Sequence, residues 1–266
     1  MPIEPQLIAE FLLLGTITGF LAGLLGIGGG MLMVPFISII LSSKGFPHEY
    51  AVKIAVATSL ATICFTSLSS VYAHQRRGAV IWPIFRQLSP GILLGSLIGA
   101  QVAVALPGKV LNILFAIFIT FSATQMILNK KPKPSRTMPG RPGTFGMGSV
   151  IGMVSALVGA GGAFISVPFM TWCNVKIHDA VGTSSALGFP IALAGTLGYI
   201  WAGQDMPAMP PGSIGYIYLP GLLIIALASV CTAPFGARTA HKIDITPLKK
   251  IFGVILYFLA AYFLLR

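Results

Sequence analysis

Gly28-Gly29-Gly30 and Gly161-Gly162 interrupt two long apolar runs, and the first two glycines of each cluster align at an offset of 133 residues. Glycine takes φ > 0 freely and loses more conformational freedom in a helix than any other residue, so clusters like these break helices. A helix that restarts after a break presents unpaired N–H groups and the positive end of its dipole. Two such ends facing each other would cradle an anion without any formal charge. Hydroxyls follow each break at matching places, as Thr58-Ser59 and Thr183-Ser184. They donate hydrogen bonds without the insertion cost of Lys or Arg, about 2.5–3.5 kcal/mol at a helix centre. The candidate substrate-binding residues are therefore Gly28, Gly29, Gly30, Thr58, Ser59, Gly161, Gly162, Thr183 and Ser184. Plainer roles compete with this one. Glycines also permit tight packing or a hairpin bend, and Ser and Thr often bond their own helix backbone.

Other chemistry is sparse. Cys64, Cys173 and Cys231 are scattered, with no CxxC pair and no metal-ligand spacing, and read as small buried apolar side chains. The six acids, Glu4, Glu10, Glu49, Asp179, Asp205 and Asp244, lie at segment ends or in loops. His48-Glu49 and His178-Asp179 open the helices after the breaks and read as solvated pairs, with an ion-coupling role as the other reading. There is no HExxH, GxSxG or P-loop, and a dinucleotide GxGxxG starting at Gly26 fails because Met31 stands where the last glycine is needed. No enzyme activity, metal or cofactor is expected.

These residues sit in a duplicated frame. Gly15–Ile37 and Gly148–Met170 share nine of 23 positions at the offset of 133, including a Val-Pro-Phe after each break. Fixed self-similarity means a repeated fold, and broken helices at matching places in two halves point to a transporter site. Further matches are Ala57-Thr58-Ser59 with Gly182-Thr183-Ser184, Pro90-Gly91 with Pro220-Gly221 at 130, and Leu114-Phe115 with Ile251-Phe252 at 137. Of the 266 residues, 55% are hydrophobic and 9% charged, with a mean hydropathy of +0.88. A soluble domain carries about 25% charged residues, so this is a polytopic membrane protein in contact with a lipid bilayer. The net charge of +11 does not imply nucleic acid, because the basic residues fall in short loops between apolar runs.

Eight apolar segments follow, at about 7–41, 54–73, 88–106, 110–128, 145–172, 179–201, 215–233 and 248–265. The basic, proline-rich stretch 129–144 reads as a cytoplasmic linker between an N-terminal transmembrane repeat (1–128) and a C-terminal one (145–266). If all eight segments span, lysines and arginines divide almost evenly between the two sides. If the two broken segments instead enter and leave on one side, 13 of the 17 fall inside, as the positive-inside rule demands. Each half is then one re-entrant, glycine-broken helix plus three spans, so the all-α fold is an inverted repeat with both termini outside. Met1–Glu10 lacks the basic start of a signal peptide. The stripes Gly15/Gly19/Gly23 and Gly91/Gly95/Gly99 read as helix-packing faces.

The paired glycine motifs, the repeat, the length and the hydropathy together resemble the TauE/SafE family of bacterial membrane permeases, over nearly the whole chain. That resemblance implies a permease of the bacterial inner membrane that exports a small sulfur-containing anion such as sulfite or an organosulfonate. The residues themselves support "small anion". An anion channel, or a membrane protein handling sulfur compounds through a reactive cysteine such as Cys64, are the other readings. Oligomeric state is left open.

Overall fold

The computed structural model describes residues 5–25, 30–128, 135–204, 206, 209–239 and 246–265. These form ten helices: α1 (Pro5–Leu25), α2 (Gly30–Ser43), α3 (His48–Gln75), α4 (Trp82–Ala105), α5 (Gly108–Leu128), α6 (Arg141–Val158), α7 (Ala163–Trp172), α8 (Ile177–Ala202), α9 (Leu219–Thr239) and α10 (Thr246–Leu265). Two-residue strands, β1 (Ser213–Ile214) and β2 (Ile217–Tyr218), make one antiparallel pairing. The chain is an all-α polytopic membrane protein. Six helices, α1, α3, α4, α5, α8 and α9, are long and apolar enough to cross a membrane among the described residues. Each broken segment divides at the same point. The first leg ends at Leu25 or Val158 and the second begins at Gly30 or Ala163, and both intervals equal the repeat offset of 133. Helix α6 starts at Arg141, inside the stretch read as linker, with Gly140 as N-cap and Pro142 in the first turn. Proline's fixed φ and missing N–H are harmless there.

The packing pairs exchange between halves. α1 lies on α9 as α6 lies on α4; α3 lies on α9 as α8 lies on α4; α2 lies on α3 as α7 lies on α8. Two further extensive pairs, α3 with α8 and α5 with α10, map onto themselves. α3 and α8 are the shielded centre, 67% buried along their apolar windows against 33–50% for the other four spans. Large apolar side chains such as Leu227, Phe258 and Trp201 are exposed on the outer faces, where hydrocarbon would contact them.

Glycine lets the outer pairs touch backbone to backbone. A methyl placed on Gly91, Gly95 or Gly99 of α4 would run into the carbonyls of Phe145, Ser149 and Met153 of α6, and Gly148 and Gly152 of α6 meet the carbonyls of Leu88 and Ile92 in return. In the other half, Gly15 and Gly19 of α1 face Ile225 and Ser229 of α9, and the Ser229 hydroxyl donates to the Gly15 carbonyl (2.9 Å). Gly15 and Gly19 of the first stripe and all three glycines of the second are packing positions. They also correct the sequence register. Leu88 and Ile92 are replaced by Ile225 and Ser229, a shift of 137, so Ala228 takes the place of Gly91. The Pro90-Gly91/Pro220-Gly221 match at 130 is a coincidence of type, since helix packing, not proline position, sets which residues are equivalent.

The buried cation among the described residues has a backbone partner. Lys53 is buried, and its Nζ donates to the Val104 carbonyl at 2.9 Å, in the last turn of α4 where carbonyls lack helical partners. Cys173 is buried as expected, but Cys231 is exposed on α9 and Cys64 is half-buried beside the Thr196 hydroxyl (3.9 Å). The linker end is held to the second broken segment. The N–H groups of Ser135 and Arg136 donate to the Trp172 carbonyl (3.2 and 3.3 Å), and the Arg136 guanidinium lies 4.6 Å from the Trp172 ring centre.

Candidate functional site

The second break is built on two left-handed glycines. Gly159 (φ 68°) closes α6, and its N–H and that of Ala160 both donate to the Ser155 carbonyl. Gly162 (φ 76°) opens α7, accepting from the N–H groups of Ile165 and Ser166. A side chain disfavours this backbone region, which is why glycine recurs here. No side chain caps the start of α7, so the N–H groups of its first turn keep their positive end. Gly28 and Gly29 lie outside the described residues. Gly30 is described, and α2 restarts there.

The breaks lie against each other at the centre. A methyl on Gly30 would sit 2.5 Å from the Gly159 carbonyl oxygen and 3.2 Å from the Ala160 Cα. Ser59 joins the two, donating to the Gly159 carbonyl at 2.9 Å with the Gly30 carbonyl at 3.5 Å. Gly161 is buried, and its carbonyl oxygen lies 3.7 Å from where a methyl on Gly188 of α8 would be. Ser184 shares a 2.6 Å hydrogen bond with Ser166 in the first turn of α7. Gly30, Ser59, Gly161, Gly162 and Ser184 are thus gathered around the paired breaks, all of them buried.

Thr58 and Thr183 do something else as well. The Thr58 hydroxyl accepts the N–H of Tyr218 (3.1 Å), and the Thr183 hydroxyl accepts the N–H of Ile81 (2.9 Å). Tyr218 and Ile81 immediately precede α9 and α4, again 137 residues apart. Each threonine therefore caps the start of a helix in the opposite half, and both are fully buried. One lone pair of each hydroxyl is engaged in this way, and its proton is left to donate. Thr58→Ala and Thr183→Ala will each strand one buried N–H and destabilise the protein by about 1–3 kcal/mol. The two losses should be similar, and serine should restore most of each. Denaturant unfolding in detergent checks this; a change below about 0.5 kcal/mol in either variant would contradict the cap.

Two hydroxyls at the break escape sequence reasoning. Ser155 (1% exposed) lies one turn before Gly159, and its Oγ has no partner. Ser166 is fully buried. At the offset of 133 they face Ala22 and Met33, so the repeat carries no signal for them. The loop before α9 is also more buried than its sequence suggests, with Tyr216, Ile217 and Tyr218 all in the core. Burial pushes the Tyr216 phenol up from its ordinary pKa, with Tyr50 and Glu49 adding to the rise. Burial raises the Cys173 thiol too, against the pull of Arg136, which leaves it a poor nucleophile. His178 is exposed, and the His48 side chain lies outside the described residues. Among the described residues no three His, Cys, Asp or Glu side chains are grouped to hold a metal ion.

A duplicated helical fold with both breaks at its centre is matched, over residues 11–263, by the family model described as sulfite exporter TauE/SafE. The chain belongs to the TauE/SafE family. A protein of Haemophilus influenzae named a probable membrane transporter protein is 35% identical, covering 96% of this chain and 97% of its own length. Proteins with the same designation from Methanocaldococcus jannaschii and Bacillus subtilis are each 28% identical, covering 96% and 92% of this chain and 97% and 93% of their own lengths. No solved structure matches. Membership and relatives agree with the helices: this TauE/SafE protein is a multi-pass membrane transporter and not an enzyme.

Proposed function

We propose that the protein is a secondary carrier that exports a small sulfur-containing anion, such as sulfite or an organosulfonate, by alternating access around the paired glycine breaks. The observation that carries this reading is the contact of Gly30 with Gly159 and Ala160, bridged by the Ser59 hydroxyl. There the start of α2 in one half meets the end of α6 in the other at a buried point, so the two broken segments adjoin at their breaks, as the breaks of repeat-built transporters do. The anion would be held by N–H groups at Gly28–Gly30 and Gly161-Gly162, with Ser59 and Ser184 beside them and the protons of Thr58 and Thr183 in reserve. The sulfur chemistry comes from the family description, sulfite exporter. The inversion is supported by the charge distribution, and the exchange of packing pairs supports a two-fold repeat.

The break residues are close-packed, so access requires a movement. The loops Ala79–Ile81 and Tyr216–Tyr218 are suited to it. Each is tied to the opposite half by its threonine, and opening one would uncover the centre from one side. Sulfite loaded into proteoliposomes tests the reading. A carrier gives saturable flux and counterflow of labelled sulfite against unlabelled. Flux that rises linearly with concentration and shows no counterflow would mean a channel instead. Cys64→Ala should transport as the parent does; loss of flux would favour reactive-cysteine chemistry.

A further inference from the structure

We infer that the second break forms a subsite for one oxygen of a singly charged sulfur oxyanion, with Ser155 as its side-chain donor. This rests on the reading of the breaks as the transport site, and it sharpens that reading to a residue and a charge state. Ser155 Oγ lies 3.0 Å from where a methyl on Gly162 would be. It is therefore beside the N-cap of α7, whose first-turn N–H groups no side chain caps. The side chain is 1% exposed and its oxygen bonds nothing. A buried hydroxyl with no partner costs free energy, and an anion at the start of α7 would take its proton. Ile191 of α8 closes the space, its Cδ1 2.5 Å from the same point, with Ile151 Cγ2 at 3.3 Å. The far end of an isoleucine side chain moves more easily than backbone, so Ile191 is the group that must swing aside for an anion to enter.

The charge state follows from what lines the subsite. Among the described residues, Ser155, Ile151 and Ile191 are the groups set nearest to Gly162, Ser166 and Ser184 pair with each other in the adjoining first turn of α7, and none of these is ionised. A helix N-terminus supplies about half a positive charge. That suits one negative charge; a dianion would leave most of its charge uncompensated in a dry interior. The subsite should hold methanesulfonate or hydrogensulfite and reject sulfate. The first half, with Ala22 in the place of Ser155, has no matching hydroxyl, so the site is chemically lopsided despite the repeat.

Purified protein is titrated with methanesulfonate, with sulfite below neutral pH and with sulfate, at constant ionic strength set by chloride. Binding is followed by isothermal calorimetry and by the rise in unfolding temperature. The parent should bind the first two and not sulfate. Ser155→Ala and Ser155→Cys, the second nearly preserving volume while losing a good donor, should weaken binding roughly ten- to 100-fold. Their unfolding temperatures without anion should equal or exceed the parent's, because the hydroxyl has no partner to lose, whereas a serine bonded for structure would leave the variants less stable. If both variants bind as tightly as the parent while Gly162→Ala does not, the anion sits at the breaks without Ser155, and the inference fails while the carrier reading stands. Sulfate binding as well as methanesulfonate would overturn the charge argument. If the parent binds none of these anions, the inference and the sulfur-anion reading fall together.

Discussion

Gly95→Leu will not yield folded protein. The position faces the Ser149 carbonyl of α6, so the added side chain meets backbone, which cannot rotate away. The neighbours Gly91, Gly99, Gly148 and Gly152 hold the same two helices at the same close spacing, so relieving one clash means separating the whole pair. Overpacking in ordinary cores costs about 1–3 kcal/mol; prying apart two backbones along about three turns should exceed that, against a total stability of about 5–15 kcal/mol. The expected result is loss of the monodisperse elution peak. Gly146→Leu is the control on α6. A methyl there meets nothing within 4 Å, and the variant should elute as the parent does. A folded but inactive Gly95→Leu would move that stripe from packing into the transport pathway.

The second large effect is on transport, and it should arise from either half. Gly162→Val places a β-branched side chain at φ 76°, against Ile191 and Ser155. A non-glycine residue held in that region costs about 1–3 kcal/mol, and valine is stiffer than most. Gly30→Val drives its side chain into the Gly159 carbonyl and Ile63 Cδ1 (2.8 Å). Both should abolish flux, and the alanine variants Gly30→Ala and Gly162→Ala should reduce it at least tenfold while folding well enough to be assayed. Ala163→Gly makes the second break resemble the first and should be tolerated. The check is labelled-anion flux on protein with a normal elution profile. Wild-type flux in both alanine variants would make the breaks structural only.

Much of this architecture was legible because glycine, proline and hydrophobicity are local signals. The breaks could be placed to the residue, since each helix restart coincides with the end of a glycine cluster that occurs twice. The apolar segments gave the helices, although α4 begins at Trp82 rather than near residue 88; a proline in its first turn and Arg86 soon after disguised a helix start as a loop. Register in the fourth helix of each half was not legible. Pro-Gly occurs at two positions that packing makes inequivalent, and only the backbone contacts of Gly15 and Gly148 decide between the offsets. The threonine caps were hidden for a related reason. Thr58 and Thr183 were visible as a repeated pair, but their partners lie 160 and 102 residues away, a relation no spacing encodes. Ser155 was hidden by the repeat itself, because its counterpart is Ala22.

The central claim is that the gathered breaks hold a small sulfur anion, and direct binding tests it most plainly. Purified parent protein and Gly162→Ala are titrated with sulfite and an organosulfonate against a chloride background. Saturable binding to the parent, lost in a variant that still elutes as folded, is the predicted result. No binding of either anion to the parent, or equal binding to parent and variant, would contradict it.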